Sequence, residues 1–132
     1  MSEGAVSKKF DFSYAERGVL FDICDCSLDK RLSFYSLNRE QADRFLKRLK
    51  HIRKMNWGQF MALDRERGVT PEIPGSDSYV MIDSQNTSDI RLGENYYYHF
   101  RVEQKGLFRV FGYQFGQLFC ITHIDPDGRI HH

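Results

Sequence analysis

The last third of the chain holds three apolar runs with almost nothing between them: "YYYHFRVE" from Tyr96, "LFRVFGY" from Leu107 and "QLFCITHI" from Gln117. Turn signals separate them at residues 104–106 and 114–116. Aromatic and β-branched residues at this density suit strands, and connections this short join only strands that run in opposite directions. The spacing predicts an antiparallel meander over 96–132. Such a sheet is unstable alone, so other elements of the chain must cover it.

The first turn fixes which residues share a face. With a loop of residues 104–106, Arg101 opposes Arg109 and Val102 opposes Phe108, collecting Phe100, Val102, Phe108 and Val110 on one apolar side. A slip of one residue would scatter that side. The opposite face then displays His99, Arg101, Arg109, Phe111 and Tyr113. The second turn leaves two registers open. A three-residue loop puts His123 beside Arg109 as a candidate acid or base. A two-residue Phe115-Gly116 loop puts it on the apolar face beside Phe108, as a buried histidine with a hydrogen-bond partner, and this second register is the expectation.

Upstream, Asn38 stands three residues before Gln41 in a near capping box, and Ala42, Phe45, Leu46, Leu49, Ile52 and Met55 recur at helical spacing. A helix is expected over 39–54. Its other face carries Arg44, Lys47, Arg48, Lys50, His51 and Lys54, either a solvated face or a surface for phosphates or an acidic partner. Asn56 opens a second helix that stops near Gly68 and turns Trp57, Phe60 and Met61 inward. Residues 69–95 read as a loop region around one short strand, "YVMI". Residues 1–37, with "FDFSY", "VLFDIC" and "RLSFYSL", read as a β-rich extension. The whole is expected to be a single α+β domain: two antiparallel helices (38–68) packed on a twisted antiparallel sheet, with an N-terminal β extension.

Composition narrows the chemistry. A chain of 132 residues suits one domain, and a net charge of +1 counts against a large nucleic-acid interface. The start, "MSEGAVSKKF", has no secretory core, and no run reaches the roughly 18 apolar residues of a membrane span, so a cytoplasmic protein without membrane contact is expected. Cys24, Cys26 and Cys120 are odd in number, and no second ligand pair stands at zinc spacing, so neither a disulfide framework nor a metal site is expected. Asp125, Asp127 and Gly128 spell a tight turn. The chain lacks a G-x-S-x-G elbow, an H-E-x-x-H pair and a phosphate-cradling glycine loop, which argues against a common hydrolase and against a cofactor.

The order of strands, helix pair and meander, with "FRVFGY", a turn, and "QLFCITHIDPDG" followed by a short basic tail, resembles the RelE/ParE superfamily of bacterial toxins over about residues 32–132. The resemblance implies a toxin of a toxin-antitoxin module that cleaves messenger RNA, as an endoribonuclease needing no metal or cofactor. Carried over by position, it implies Arg109, Arg129 and His131 as catalytic groups, with Tyr113 and His123 behind them. Arg101, Lys105, Lys47, Arg48 and Lys54 would hold RNA. Implied partners are an antitoxin protein and messenger RNA or the ribosome. Such a reaction needs a 2′-hydroxyl deprotonated, charge on the phosphoryl oxygens stabilised and the leaving oxygen protonated. Arginine does the second, and histidine can do the first or third. Two other readings stay open: a non-enzymatic protein-binding module that uses Tyr96, Tyr97, Tyr98 and Phe111, and a gyrase-directed toxin of the same family.

Overall fold

The structure, a computed structural model, describes residues 9–64, 67–87 and 96–130. A five-stranded sheet carries the fold: β1 (Leu20–Asp22), β2 (Val69–Pro71), β3 (Tyr97–Arg101), β4 (Arg109–Phe115) and β5 (Leu118–Asp125). Their order across the sheet is β1-β5-β4-β3-β2. Three pairings are antiparallel, including the expected β3-β4-β5 meander, and β1 lies parallel to β5, so the sheet is mixed where an antiparallel one was expected. Among the described residues no helix is long and apolar enough to cross a membrane.

Two helices, α1 (Arg39–Ile52) and α2 (Trp57–Ala62), cover one face. Each starts with a complete capping box. Asn38 and Gln41 exchange side-chain-to-backbone bonds of 2.9 Å in both directions, and Asn56 and Gln59 do so at 2.7 and 2.9 Å. These bonds satisfy backbone donors that a helix start leaves open. α1 buries Phe45 and Ile52 but leaves Leu46 exposed, so the apolar stripe is narrower than its spacing suggests. α2 buries Trp57, Phe60 and Met61 against Phe100 and Phe119, with the Trp57 and Phe119 rings stacked at 6.3 Å. Trp57 Nε1 donates to the Gln117 carbonyl at 2.8 Å, so even the polar end of the largest core side chain is satisfied.

The first hairpin has the expected register: Arg101 pairs with Arg109, and Val102 N–H donates to the Phe108 carbonyl at 3.0 Å. Phe100, Val102, Phe108 and Val110 all join the core under α1 and α2. The second hairpin corrects the expected one. Phe115 pairs with Leu118, but a β-bulge interrupts the ladder, so Gly112 pairs with Ile121 while Phe111 pairs with His123. Thr122 is the extra residue, and passing it flips the alternation. Phe119, Ile121 and Ile124 therefore face α1 and α2, whereas His123 and Asp125 join the face of Arg109.

That second face is not open, as the two-helix expectation implied. The stretch "YVMI", expected as a strand, belongs to α3 (Asp77–Gln85), which lays Ile82 over Tyr97, Phe111, Tyr113 and Cys120. Ser76 accepts the Tyr79 N–H and starts the helix, and the buried pair Ser78 and Ile82 stands at helical spacing. Two further strand expectations give way to short 3-10 turns, Phe12–Tyr14 and Phe34–Ser36. Asp11 and Ser33 each accept a backbone N–H two residues on, which bends the chain where the aromatic alternation would extend it. Of the expected β extension, one strand, β1, is formed among the described residues.

Candidate functional site

The edge strand β2 continues its ladder one step past Pro71, because Glu72 N–H donates to the Tyr97 carbonyl at 2.9 Å. Alternation along this extended segment puts Thr70 and Glu72 on the α3 face, where Thr70 pairs with His99. Glu72 meets the neighbouring histidine: His99 Nδ1 stands 3.1 Å from Glu72 Oε2 and 3.3 Å from Oε1. Both side chains are nearly inaccessible, at 9 % for His99 and 2 % for Glu72. They form one wall of a cleft of about 200 Å³ that is also lined by Thr70, Ile73, Arg101 and Arg109.

Two arginines opposite one another on antiparallel strands repel, so the surroundings must supply negative charge. Glu72 borders the same cleft, and Asp125 is the strand partner of Arg109 on its far side. The row across β3, β4 and β5 reads Arg101, Arg109, Asp125. Above it, the Phe111 ring packs against His99 at 5.4 Å and pairs across the ladder with His123. The result is a carboxylate, an imidazole and two guanidinium groups gathered around one small cleft. Such a set can move a proton and stabilise a phosphoryl or carboxylate anion.

The expected site residues divide. Arg109 and Arg101 line the cleft together. Tyr113 lies one cross-strand pair beyond Phe111 on the same face, and its hydroxyl donates to the Asp25 carboxylate. Burial and that bond push the phenol above its ordinary range, so it works as an anchor. Burial opposes the ionised form of Asp25, yet bonds from Thr87 (2.6 Å from the hydroxyl, 3.1 Å from the N–H) and from Tyr113 prevail and hold its pKa low. Together they tie the 23–26 segment to the end of α3. Arg129 is exposed; its backbone N–H donates to Asp125 at 2.9 Å, and its guanidinium lies 3.7 Å from Asp127, outside the cleft. His131 lies outside the described residues.

Of the other cations expected to hold RNA, none lines this cleft. Lys47 on α1 is exposed and ion-paired with Asp43 at 2.9 Å, Lys54 follows the helix end, and Lys105 is exposed in the β3-β4 loop. Arg48 is engaged within the fold. Its guanidinium is half-buried, donates to the Arg101 carbonyl at 3.1 Å and to the Arg67 carbonyl, and closes the gap between α1 and the end of β3. With its donors engaged by the main chain it is a structural clasp. Glu72 and His99 went unselected as site residues in the sequence. The signal for His99 was present in its position two residues before Arg101 on one strand face. None marked Glu72, which lay in a segment read as loop.

His123 is buried beside the bulge, with Nδ1 2.9 Å from Thr122 Oγ1. Burial lowers its pKa to about 4, against a smaller opposing pull from Asp29. This is the group expected either as a catalytic acid or base on the Arg109 face or as a buried histidine on the apolar one. It has the face of the first and the burial of the second. The unfolded chain takes up this proton near pH 6.5 and the folded one only near pH 4, so the unfolded state binds more protons between those values. Stability is therefore expected to fall by roughly 2–3 kcal/mol as the pH drops from 6.5 to 4. In urea titrations across that range, His123→Gln should flatten the decline; an unchanged slope would remove His123 as its source.

No protein-family model, no curated protein and no solved structure matches this chain.

Proposed function

We propose that the chain is a RelE/ParE-like toxin whose activity is RNA cleavage in the cleft of Glu72, His99, Arg101 and Arg109. The carrying observation is the buried Glu72–His99 pair set beside two arginines in a space of about 200 Å³. In this reading Glu72 orients the imidazole through Nδ1, and His99 takes the proton of the ribose 2′-hydroxyl as that oxygen attacks the adjacent phosphorus. Arg101 and Arg109 hold the phosphoryl oxygens as charge grows on them. The 5′-oxygen leaves with a proton returned from the histidine or from water, giving a 2′,3′-cyclic phosphate. The helix pair on one face and the arginine on the second meander strand support the family reading. The exposed Tyr35 and Leu46 near the cations of α1 offer an antitoxin of acidic, amphipathic character a place to bind.

The test is incubation of the purified protein with a single-stranded RNA and with the same sequence as DNA. RNA is expected to be cut to cyclic-phosphate ends and DNA left whole, because DNA lacks the nucleophile. Glu72→Gln, His99→Asn and Arg101→Ala should each lower the rate by about 100-fold or more. Arg109→Lys separates phosphate binding from the charge balance with Asp125. Intact RNA with the folded parent, free or with translating ribosomes, would defeat the reading. Loss of DNA supercoiling activity in an extract would then favour the gyrase-directed alternative. The row that sets Arg109 against buried Asp125 favours a second reading, a binding module whose arginines serve the fold. A folded parent that cuts no RNA and leaves DNA supercoiling unchanged would select it.

A further inference from the structure

Ile73 borders the cleft beside Glu72, yet it is 72 % exposed. Single exposed apolar side chains are common and mean little alone. The setting of this one is unusual in being fixed on both sides. Before it, Pro71 restricts the backbone and Glu72 is bonded to β3. After it, the Ile73 carbonyl accepts the Ser76 N–H at 2.9 Å, closing a turn through Pro74 and Gly75, with Gly75 at φ +86°. Proline followed by a glycine at positive φ is the arrangement of a type II turn. Ser76 then caps α3, which is anchored on the sheet by Ile82. Two prolines, a glycine and a helix cap thus fix the backbone that carries one exposed aliphatic side chain beside the cleft.

The geometry points to Ile73 as the specificity residue of this cleft, a ledge for the nucleobase of the nucleotide whose 2′-hydroxyl attacks. The inference rests on the cleavage reading above. Contacts between arginine and phosphate position a strand but carry no sequence information. A space of about 200 Å³ is on the scale of a ribose with its phosphate, so the base would lie outside it, beside the exposed Ile73 on its lining. Since Glu72 and His99 serve the 2′-hydroxyl, the base on that same ribose is the one that lies next to residue 73. Its face is apolar and must be unstacked to be reached, so the substrate class is single-stranded RNA. A ledge on a backbone already held at both ends loses little main-chain freedom on contact.

The experiment compares the parent and Ile73→Ala on one single-stranded RNA, and on the same RNA with an abasic ribose at the attacking nucleotide, which keeps the 2′-hydroxyl. Loss of the ledge is expected to raise KM about fivefold with kcat unchanged, the scale of a modest base contact. The abasic substitution should cost the parent a similar factor and cost Ile73→Ala nothing, and the preference among cleavage steps should flatten. Equal KM values and equal sensitivity to the abasic site would overturn the assignment while leaving the cleavage reading in place. A parent that cuts no RNA would remove both.

Discussion

Replacing Gly112 by valine is expected to leave no cooperatively folded protein. Gly112 sits in the middle of β4, beside the bulge, paired with Ile121. A Cβ there would lie 2.6 Å from Phe119 Cε1 and closer still to the Cys120 carbonyl oxygen. The ring belongs to the stacked core under α2, and the carbonyl belongs to the central ladder, so neither can retreat without moving β5. Even alanine should cost more than about 3 kcal/mol, in the range of forced overpacking, and valine adds two methyl groups in the same place. Circular dichroism and a urea transition would show it. A two-state Gly112→Val protein with near-parental stability would mean that the two strands pass one another differently from the arrangement described.

Truncating Asp125 to alanine is expected to cost about 3–5 kcal/mol, the scale of two hydrogen bonds to a charged group and a large share of the total for a domain of this size. The carboxylate is completely buried and accepts two backbone N–H groups, from Arg129 and Ile130, each at 2.9 Å. It is also the strand partner of Arg109. Alanine leaves both backbone donors without their acceptor, and losing a bond to a charged group costs more than losing a neutral one. The Asp125→Asn variant keeps one acceptor and should lose about half as much. Denaturant midpoints of the two variants would separate the terms; equal losses would assign the effect to charge alone.

What could be read from the residues was whatever local chemistry decides. Asn38 with Gln41 announced the first helix start, because a capping box is closed within four residues, and Asn56 announced the second as a lone cap; its box with Gln59 is visible only in the structure. The register of the first hairpin was legible because a wrong one would have mixed Arg109 with Val102. The face of His123 was not, since it depends on Thr122 being skipped by the ladder, and Thr122 differs in no local way from a residue that is paired. α3 hid behind "YVMI", whose aromatic and β-branched residues suit a strand. Its helical state is decided by Ser76, the turn before it and the sheet it covers. For the same reason the cleft was half visible. Arg101, Arg109 and His99 share a strand pair, whereas Glu72 reaches them only through the pairing of β2 with β3, across a sequence gap that no periodicity spans.

The parallel contact of β1 with β5 has a consequence for how the molecule comes into being. Leu20 and Leu118 are direct neighbours in the sheet although about a hundred residues separate them in the chain. Closing so long a loop costs entropy before any contact compensates, which slows the search for the native state. During synthesis, residues 20–22 emerge about a hundred residues ahead of 118–120 and must wait that long for their partner. The cleft-bearing face inherits that delay. Asp125, the strand partner of Arg109, and the bulge that sets its face both belong to β5, so this side of the cleft-bearing face is completed only when β5 docks.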